Sequence, residues 1–160
     1  MTESLANLNL QLLPNRKESV ASLCNRAANY TILVFYRGFH CRICFRYIRR
    51  WAAFKSAFNK LGIEVAAVSS DSKEKAQQTQ NEWFTQDLPL AYGLPVTEGQ
   101  RIGLHISKGT GIDDPSEFTE PALFVLNKQG DVVISSIQNS AYARPDVEQL
   151  LEDLKGILAR

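Results

Sequence analysis

Apolar positions change period several times along the chain, and each change predicts an element. Thr31 to Tyr36 (TILVFY) is a short run of β-branched and aromatic residues followed by Gly38, which predicts a buried strand ending in a turn. From Cys41 to Leu61, the positions Cys44, Ile48, Trp51, Ala52, Phe54, Phe58 and Leu61 recur at three- and four-residue steps. Arg46, Arg49, Arg50, Lys55 and Lys60 lie between them and Gly62 stands beyond, so one long amphipathic helix is predicted. Ile63 to Ser69 reads as a second strand, Asp71 as the N-cap of a helix from Ser72 to Trp83, and Leu88 to Ala91 as a third strand.

Gly93 to Thr119 is rich in Gly, Pro and Asp and has little periodicity, so it reads as an irregular excursion with one short helix near Glu98 to Gly103. Beyond Pro121, Ala122 to Leu126 and Val132 to Ile137 flank the turn residues Asn127 to Gly130 and read as a β-hairpin. The closing helix follows Pro145, with Val147, Leu150, Leu151, Leu154 and Leu158 on one face. Upstream, Glu18 to Ala28 predicts an extra helix and Asn7 to Pro14 an edge strand. A βαβ half followed by a ββα half is the layout of the thioredoxin fold. The fold class expected is therefore α/β, a central mixed sheet flanked by helices, with an N-terminal extension and a loop-rich insertion.

Composition narrows this picture without redirecting it. With 160 residues, 44% hydrophobic and 22% charged, the chain has the make-up of one globular domain, expected over 1–160. The net charge of +1 is spread out except for Arg37, Arg42, Arg46, Arg49 and Arg50, which argues against nucleic acid as the main partner. Met1 to Leu10 carries no basic n-region, and no apolar run approaches the ~20 residues of a membrane span. A cytoplasmic location without membrane association is the resulting expectation. Three cysteines are too few for a secreted disulfide framework.

Candidate chemistry sits in Tyr36-Arg37-Gly38-Phe39-His40-Cys41-Arg42-Ile43-Cys44, where the chain leaves a strand and enters a helix. A C-x-x-C pair beside a βα pattern points to redox work. The free N–H groups and dipole of a helix N-terminus stabilise thiolate, and Arg37, Arg42 and His40 are placed to add positive potential. A cysteine pKa well below the usual value of about 8.5 is expected. One helical turn brings the two sulfurs within reach of a disulfide, Cys41 facing solvent and Cys44 the protein. Cys41 would attack a substrate disulfide and Cys44 resolve the mixed intermediate; sulfenate formation and closure would serve equally against a peroxide. Two ordinary buried cysteines, or half of a zinc site, are the competing readings. Zinc needs four ligands, and Cys24, His40 and His105 are the only other soft donors. No metal or cofactor is expected.

Through YRGFHCRIC, VAAVSSD, ISKG, EPALFVLNKQGDVV and YARPDVEQLL, the sequence resembles the peroxiredoxin-like members of the alkyl hydroperoxide reductase and thiol-specific antioxidant (AhpC/TSA, redoxin) superfamily, especially those bearing YRGxxCxxC. The family motif is P-x-x-x-T-x-x-C, its cysteine peroxidatic and assisted by the threonine and an arginine. The resemblance puts Cys44 in that cysteine's place, Cys41 in the threonine's and Arg37 near the proline's. Pro121 falls near the arginine that precedes the fourth strand. Loss of those two helpers implies a less well oriented hydroperoxide. Pro121 is instead similar to the cis-proline of thioredoxins, so a cis Glu120–Pro121 bond is expected. Arg144 matches a second family arginine and is either directed at the cysteines or a solvated helix-entry residue. Cys24 is either a resolving cysteine or plain core. Tyr36 reads as pocket wall, Trp51 and Trp83 as packing, and Arg46, Arg49 and Arg50 as a solvated face.

Three functions follow. The first is a thiol–disulfide oxidoreductase with Cys41 attacking and Cys44 resolving. The second is a peroxiredoxin-type peroxidase with Cys44 peroxidatic, and the third a non-catalytic redox sensor or binding module. The partners implied are a protein or small-molecule disulfide, or a peroxide, with a thioredoxin- or glutathione-like thiol as electron donor. A homodimer is expected by analogy.

Overall fold

The computed structural model describes residues 5–160. Its elements run β1 (Asn9–Leu12), β2 (Arg16–Ser19), α1 (Val20–Arg26), β3 (Tyr30–Phe35), α2 (Arg42–Lys60), β4 (Ile63–Val68), α3 (Lys73–Glu82) and β5 (Leu90–Tyr92). Then come α4 (Val96–Arg101), β6 (Ile106–Lys108), β7 (Glu117–Thr119), β8 (Ala122–Leu126), β9 (Val132–Ile137) and α5 (Val147–Leu158). Seven strands form one sheet in the order β2-β1-β5-β4-β3-β8-β9. β3, β4 and β5 are parallel, while β8 runs antiparallel to β3 and to β9, so the sheet is mixed as the βαβ-ββα layout requires.

Strand β3 shows why helices cover both faces. Alternate side chains leave a strand on opposite sides. Ile32, Val34 and Tyr36 join a core with Ile48, Trp51 and Phe58 of α2 and Val147, Leu150 and Leu154 of α5. Leu33 and Phe35 join a second core with Val20 and Leu23 of α1 and with Ile102 and Leu104 at the end of α4. Trp51 stacks on Phe58 with ring centroids 5.2 Å apart, one helical repeat of seven along α2. Gly62 ends that helix at φ +75, where a Cβ would stand 2.7 Å from the Asn29 amide nitrogen.

Several boundaries differ from the pattern-based expectation. Ser72, not Asp71, caps α3, its hydroxyl accepting from the Lys75 N–H at 3.2 Å. Asp71 is diverted because its carboxylate accepts the Phe39 N–H at 2.9 Å. The span from Asn7 to Pro14 yields β1, but β2 pairs along its outer side, so β1 is not an edge. Glu18 and Ser19 belong to that pairing, which delays the start of α1. The stretch after Gly93 is more ordered than its composition suggests: α4 is followed by a small two-stranded sheet of β6 and β7. Strands of three residues leave little periodicity to read. No described helix is long and apolar enough to cross a membrane.

Candidate functional site

The sequence places β3 and α2 so that the chain must turn sharply between Phe35 and Arg42. Gly38 makes that turn at φ +131, and a Cβ there would lie 2.5 Å from Asp71 Oδ1. Only glycine satisfies both the backbone and the space. Buried Asp71 holds the following residue through the Phe39 amide, and burial pushes its carboxyl up to about 6. The motif is thus pinned from α3's approach before the helix begins.

Cys41 is the residue that caps α2 and Cys44 sits three residues into it. Both are buried, Cys44 fully and Cys41 to 6% exposure, so Cys41 is not the solvent-facing thiol expected. Both cysteines are free thiols. A hydrogen bond from the Cys44 thiol holds the pKa of Cys41 down, to about 6, against the opposing effect of burial; the Cys44 amide, Arg144 and Arg37 lower it further. Burial pushes Cys44 up, as does its role as donor to Cys41, with Arg144 opposing. The pair therefore holds its charge on the outer sulfur and its proton on the inner one.

Arg144 reaches this pair from the other half of the fold. Its Nη2 donates to Cys44 Sγ at 3.2 Å and its Nε to the Ala141 carbonyl at 2.8 Å. The guanidinium lies over the Tyr47 ring at 4.8 Å, and the Tyr47 hydroxyl donates to the Pro145 carbonyl at 2.6 Å. Its Nη1 is buried without a partner. Of the two readings for Arg144, the structure places it at the cysteines.

Arg37 is anchored by Glu120, Nε donating at 2.7 Å and Nη2 at 2.9 Å. Ser107, in β6, also donates to Glu120, and Arg37 lies over the Phe118 ring at 5.1 Å. Sequence reasoning singled out neither Glu120 nor Asp71 for the site. An acidic residue directly before the apolar run from Pro121 to Leu126 was the available signal for Glu120.

Other expected members lie elsewhere or act differently. The Glu120–Pro121 bond is trans; the one cis peptide among the described residues is Leu13–Pro14. The reason lies in the extended path there: the Glu120 N–H donates to His105 and the Pro121 carbonyl accepts from Gln138, so no reversal asks for a cis bond. Burial holds the pKa of His40 below the usual value, which opposes a positive charge there, and its ring packs on Phe118 with centroids 4.7 Å apart. Arg42 is exposed and lines a surface groove. Tyr36 is fully buried against Trp83, its hydroxyl pKa raised by burial, which makes it wall. Cys24 lies in the second core, across the sheet from Cys41 and Cys44. No group of three or more His, Cys, Asp or Glu among the described residues is placed to hold a metal.

The sequence matches the model described as the AhpC/TSA family over residues 4–135. No curated protein matches it. Among solved structures, a mutant of peroxiredoxin 6 from Arenicola marina superposes with a TM-score of 0.77 at 13% identity, covering 98% of this chain and 72% of that one. A mutant of Xanthomonas campestris peroxiredoxin Q gives 0.73 at 17% identity, covering 98% and 94%. Enterococcus faecalis AhpC gives 0.74 at 16% identity, covering 94% and 87%. At these identities the structural likeness concerns the fold.

Proposed function

The chain belongs to the AhpC/TSA family, as a peroxiredoxin-like, thiol-dependent oxidoreductase of the thioredoxin fold, and on that premise we propose that it reduces a hydroperoxide through a Cys41–Cys44 dithiol. The observation that carries this reading is Arg144, which donates one N–H to Cys44 Sγ and keeps a second, unpartnered Nη1 buried beside it. The free donor suits a peroxide oxygen.

The geometry supports a balanced cycle. The Cys41 thiolate attacks one peroxide oxygen, the O–O bond breaks, and the departing alkoxide or hydroxide takes the proton of the Cys44 thiol. Cys41 is then a sulfenic acid and Cys44 a thiolate held by Arg144. Cys44 displaces hydroxide from the Cys41 sulfur, which leaves as water after protonation by solvent, and the disulfide closes. One peroxide gains two electrons and one dithiol loses them.

One observation favours a variant of this scheme, and one weighs against another. The Arg144 contact is made to Cys44, the residue in the family cysteine's place, which supports Cys44 as the first nucleophile. Thiol–disulfide exchange with Cys41 attacking uses the same charge arrangement, although the trans Glu120–Pro121 bond removes the feature likened to thioredoxins. Stopped-flow oxidation by hydrogen peroxide separates them. Cys44→Ser should still consume one equivalent of peroxide and stop at a sulfenic acid, whereas Cys41→Ser should react at least tenfold more slowly. The reverse ranking assigns the attack to Cys44, and no rapid oxidation of the unmodified protein leaves disulfide exchange. We further propose that the enzyme works in the cytoplasm as one domain.

A further inference from the structure

A groove of about 650 Å³ runs along the first half of α2, between that helix and the loop 141–146. Its floor is apolar: the Tyr47 ring, Ala141, Ala143, and the side chains of Ile43 and Tyr142, which are 40% and 65% exposed. Along its wall stand Arg42, Arg46 and Arg50, spaced by four residues and so stacked on one helix face over ~12 Å. Arg144, the residue that donates to Cys44, also lines the groove.

The charges are unbalanced in favour of cations. Arg50 has a carboxylate partner, Glu148, at 3.7 Å, but among the described residues neither Arg42 nor Arg46 forms a salt bridge. Asp146, the acid on the rim, is committed to the Gln149 N–H at 2.9 Å as the cap of α5. The volume lies in the range that encloses a small molecule and is far more than a peroxide group fills. An occupant must then be small, carry carboxylates, and have a reactive end able to meet the sulfurs past Arg144.

We infer that this groove receives the electron donor, a low-molecular-weight thiol bearing carboxylates, which reduces the Cys41–Cys44 disulfide. The inference deepens the proposed function, resting on its dithiol–disulfide cycle and not on the identity of the oxidant. The donor thiolate attacks Cys44 Sγ and the S–S bond breaks. The electron pair leaves on Cys41, at the N-terminus of α2, where the Cys44 amide, Arg144 and Arg37 stabilise a thiolate. A second donor thiolate attacks the donor sulfur of the mixed disulfide, Cys44 leaves and takes a proton, and the donor departs as its disulfide. Two thiols lose two electrons and the protein gains them.

The test closes the disulfide with diamide, so that its outcome does not depend on reactivity toward peroxide, and follows reduction by thiol counting. Glutathione, its diethyl ester and 2-mercaptoethanol are compared. In the unmodified protein glutathione should be faster than its ester by on the order of tenfold, the worth of one or two charge-assisted contacts. Raising the salt concentration should narrow that gap. Arg46→Ala and Arg42→Ala should each shrink the glutathione-to-ester ratio severalfold, and Arg46→Glu should invert it. Arg49→Ala, on the same helix but outside the groove and stacked on Phe45 and Phe84, should leave the ratio as it is. A ratio near one in the unmodified protein, or one indifferent to Arg42 and Arg46, overturns the inference. So does faster reduction by thioredoxin that depends on Arg46, which assigns the groove to a protein partner, or a dimer that Arg46→Glu dissociates, which assigns it to a second copy. A protein that diamide oxidises and that shows the ratio, yet reacts with no peroxide, would instead remove the peroxide reading alone.

Discussion

Arg37, at the exit of β3, and Glu120, at the entry to β8, form a two-point ion pair with N–O distances of 2.7 and 2.9 Å, and the carboxylate is 1% exposed. Eighty-three residues of chain separate them, so this pair ties the βαβ half of the fold to the ββα half directly beside the thiols. The resemblance sets Arg37 near the proline of the family motif and Pro121 near the arginine that precedes the fourth strand. The guanidinium is supplied from the opposite strand end and held by a carboxylate.

Arg37→Ala should therefore be worse than Glu120→Gln. The first leaves a buried carboxylate without its cation, at a cost of about 3 kcal/mol. The second keeps a neutral acceptor for Ser107 and Arg37 and should cost about 1 kcal/mol. Urea unfolding followed by tryptophan fluorescence measures both, and equal losses would contradict the account.

Gly38→Ala should destabilise by about 2 kcal/mol or more, since it combines a disfavoured backbone conformation with a clash against Asp71. Pairing it with Asp71→Ala should recover the steric part only, because the Phe39 amide then loses its acceptor. A double-mutant unfolding cycle reads the coupling.

The depressed pKa of Cys41 has a definite sign in pH experiments. Alkylation by iodoacetamide should rise with pH to half its maximum near pH 6, about where the thiolate forms. Because the folded pKa lies below the unfolded one, Cys41 contributes stability that is complete above about pH 9 and is lost as pH falls through about 6. The stability difference between the reduced protein and Cys41→Ala, measured in urea, should shrink across that window.

Asp71 behaves in the opposite sense. Its carboxyl pKa is raised by burial to about 6, so its contribution is complete below about pH 4 and falls away as pH rises through 6. Asp71→Asn keeps an acceptor for the Phe39 amide and lacks the titrating group. Its stability relative to the unmodified protein should improve between pH 4.5 and 7.5, and a difference that is flat across that range would refute the burial argument.

Tyr47→Phe keeps the ring beneath Arg144 but loses the hydrogen bond to Pro145. Stability should drop by about 1 kcal/mol, and peroxide oxidation should slow less than in Arg144→Ala. Rapid-mixing fluorescence compares the two.

The βαβ-ββα order, the long helix and the placement of the thiol pair were legible in the sequence because each rests on local information: a hydrophobic period, a glycine stop, a C-x-x-C spacing. What escaped was set by contacts distant in sequence. Ser72 displaced Asp71 as a cap only because Phe39, 32 positions away, claims the Asp71 carboxylate. The trans bond before Pro121 follows from hydrogen bonds of its neighbours to His105 and Gln138. The burial of Cys41, the lowered pKa of His40 and the role of Glu120 likewise depend on what the far half of the chain lays over the motif. The small β6–β7 sheet was missed for another reason, since three-residue strands are too short to show a period.

The location of Cys24 bears on how oxidation would be counted. Its sulfur and those of Cys41 and Cys44 stand on opposite sides of the seven-stranded sheet, so the sheet acts as a partition between a working couple and a spectator. An oxidised sample should then lose two thiols per chain without gaining mass from cross-linked species. The third should stay silent to a thiol reagent until denaturant opens the second core. Bookkeeping of sulfur in this protein is thus a readout of its architecture: a signal from Cys24 reports unfolding, and a missing pair reports the redox state.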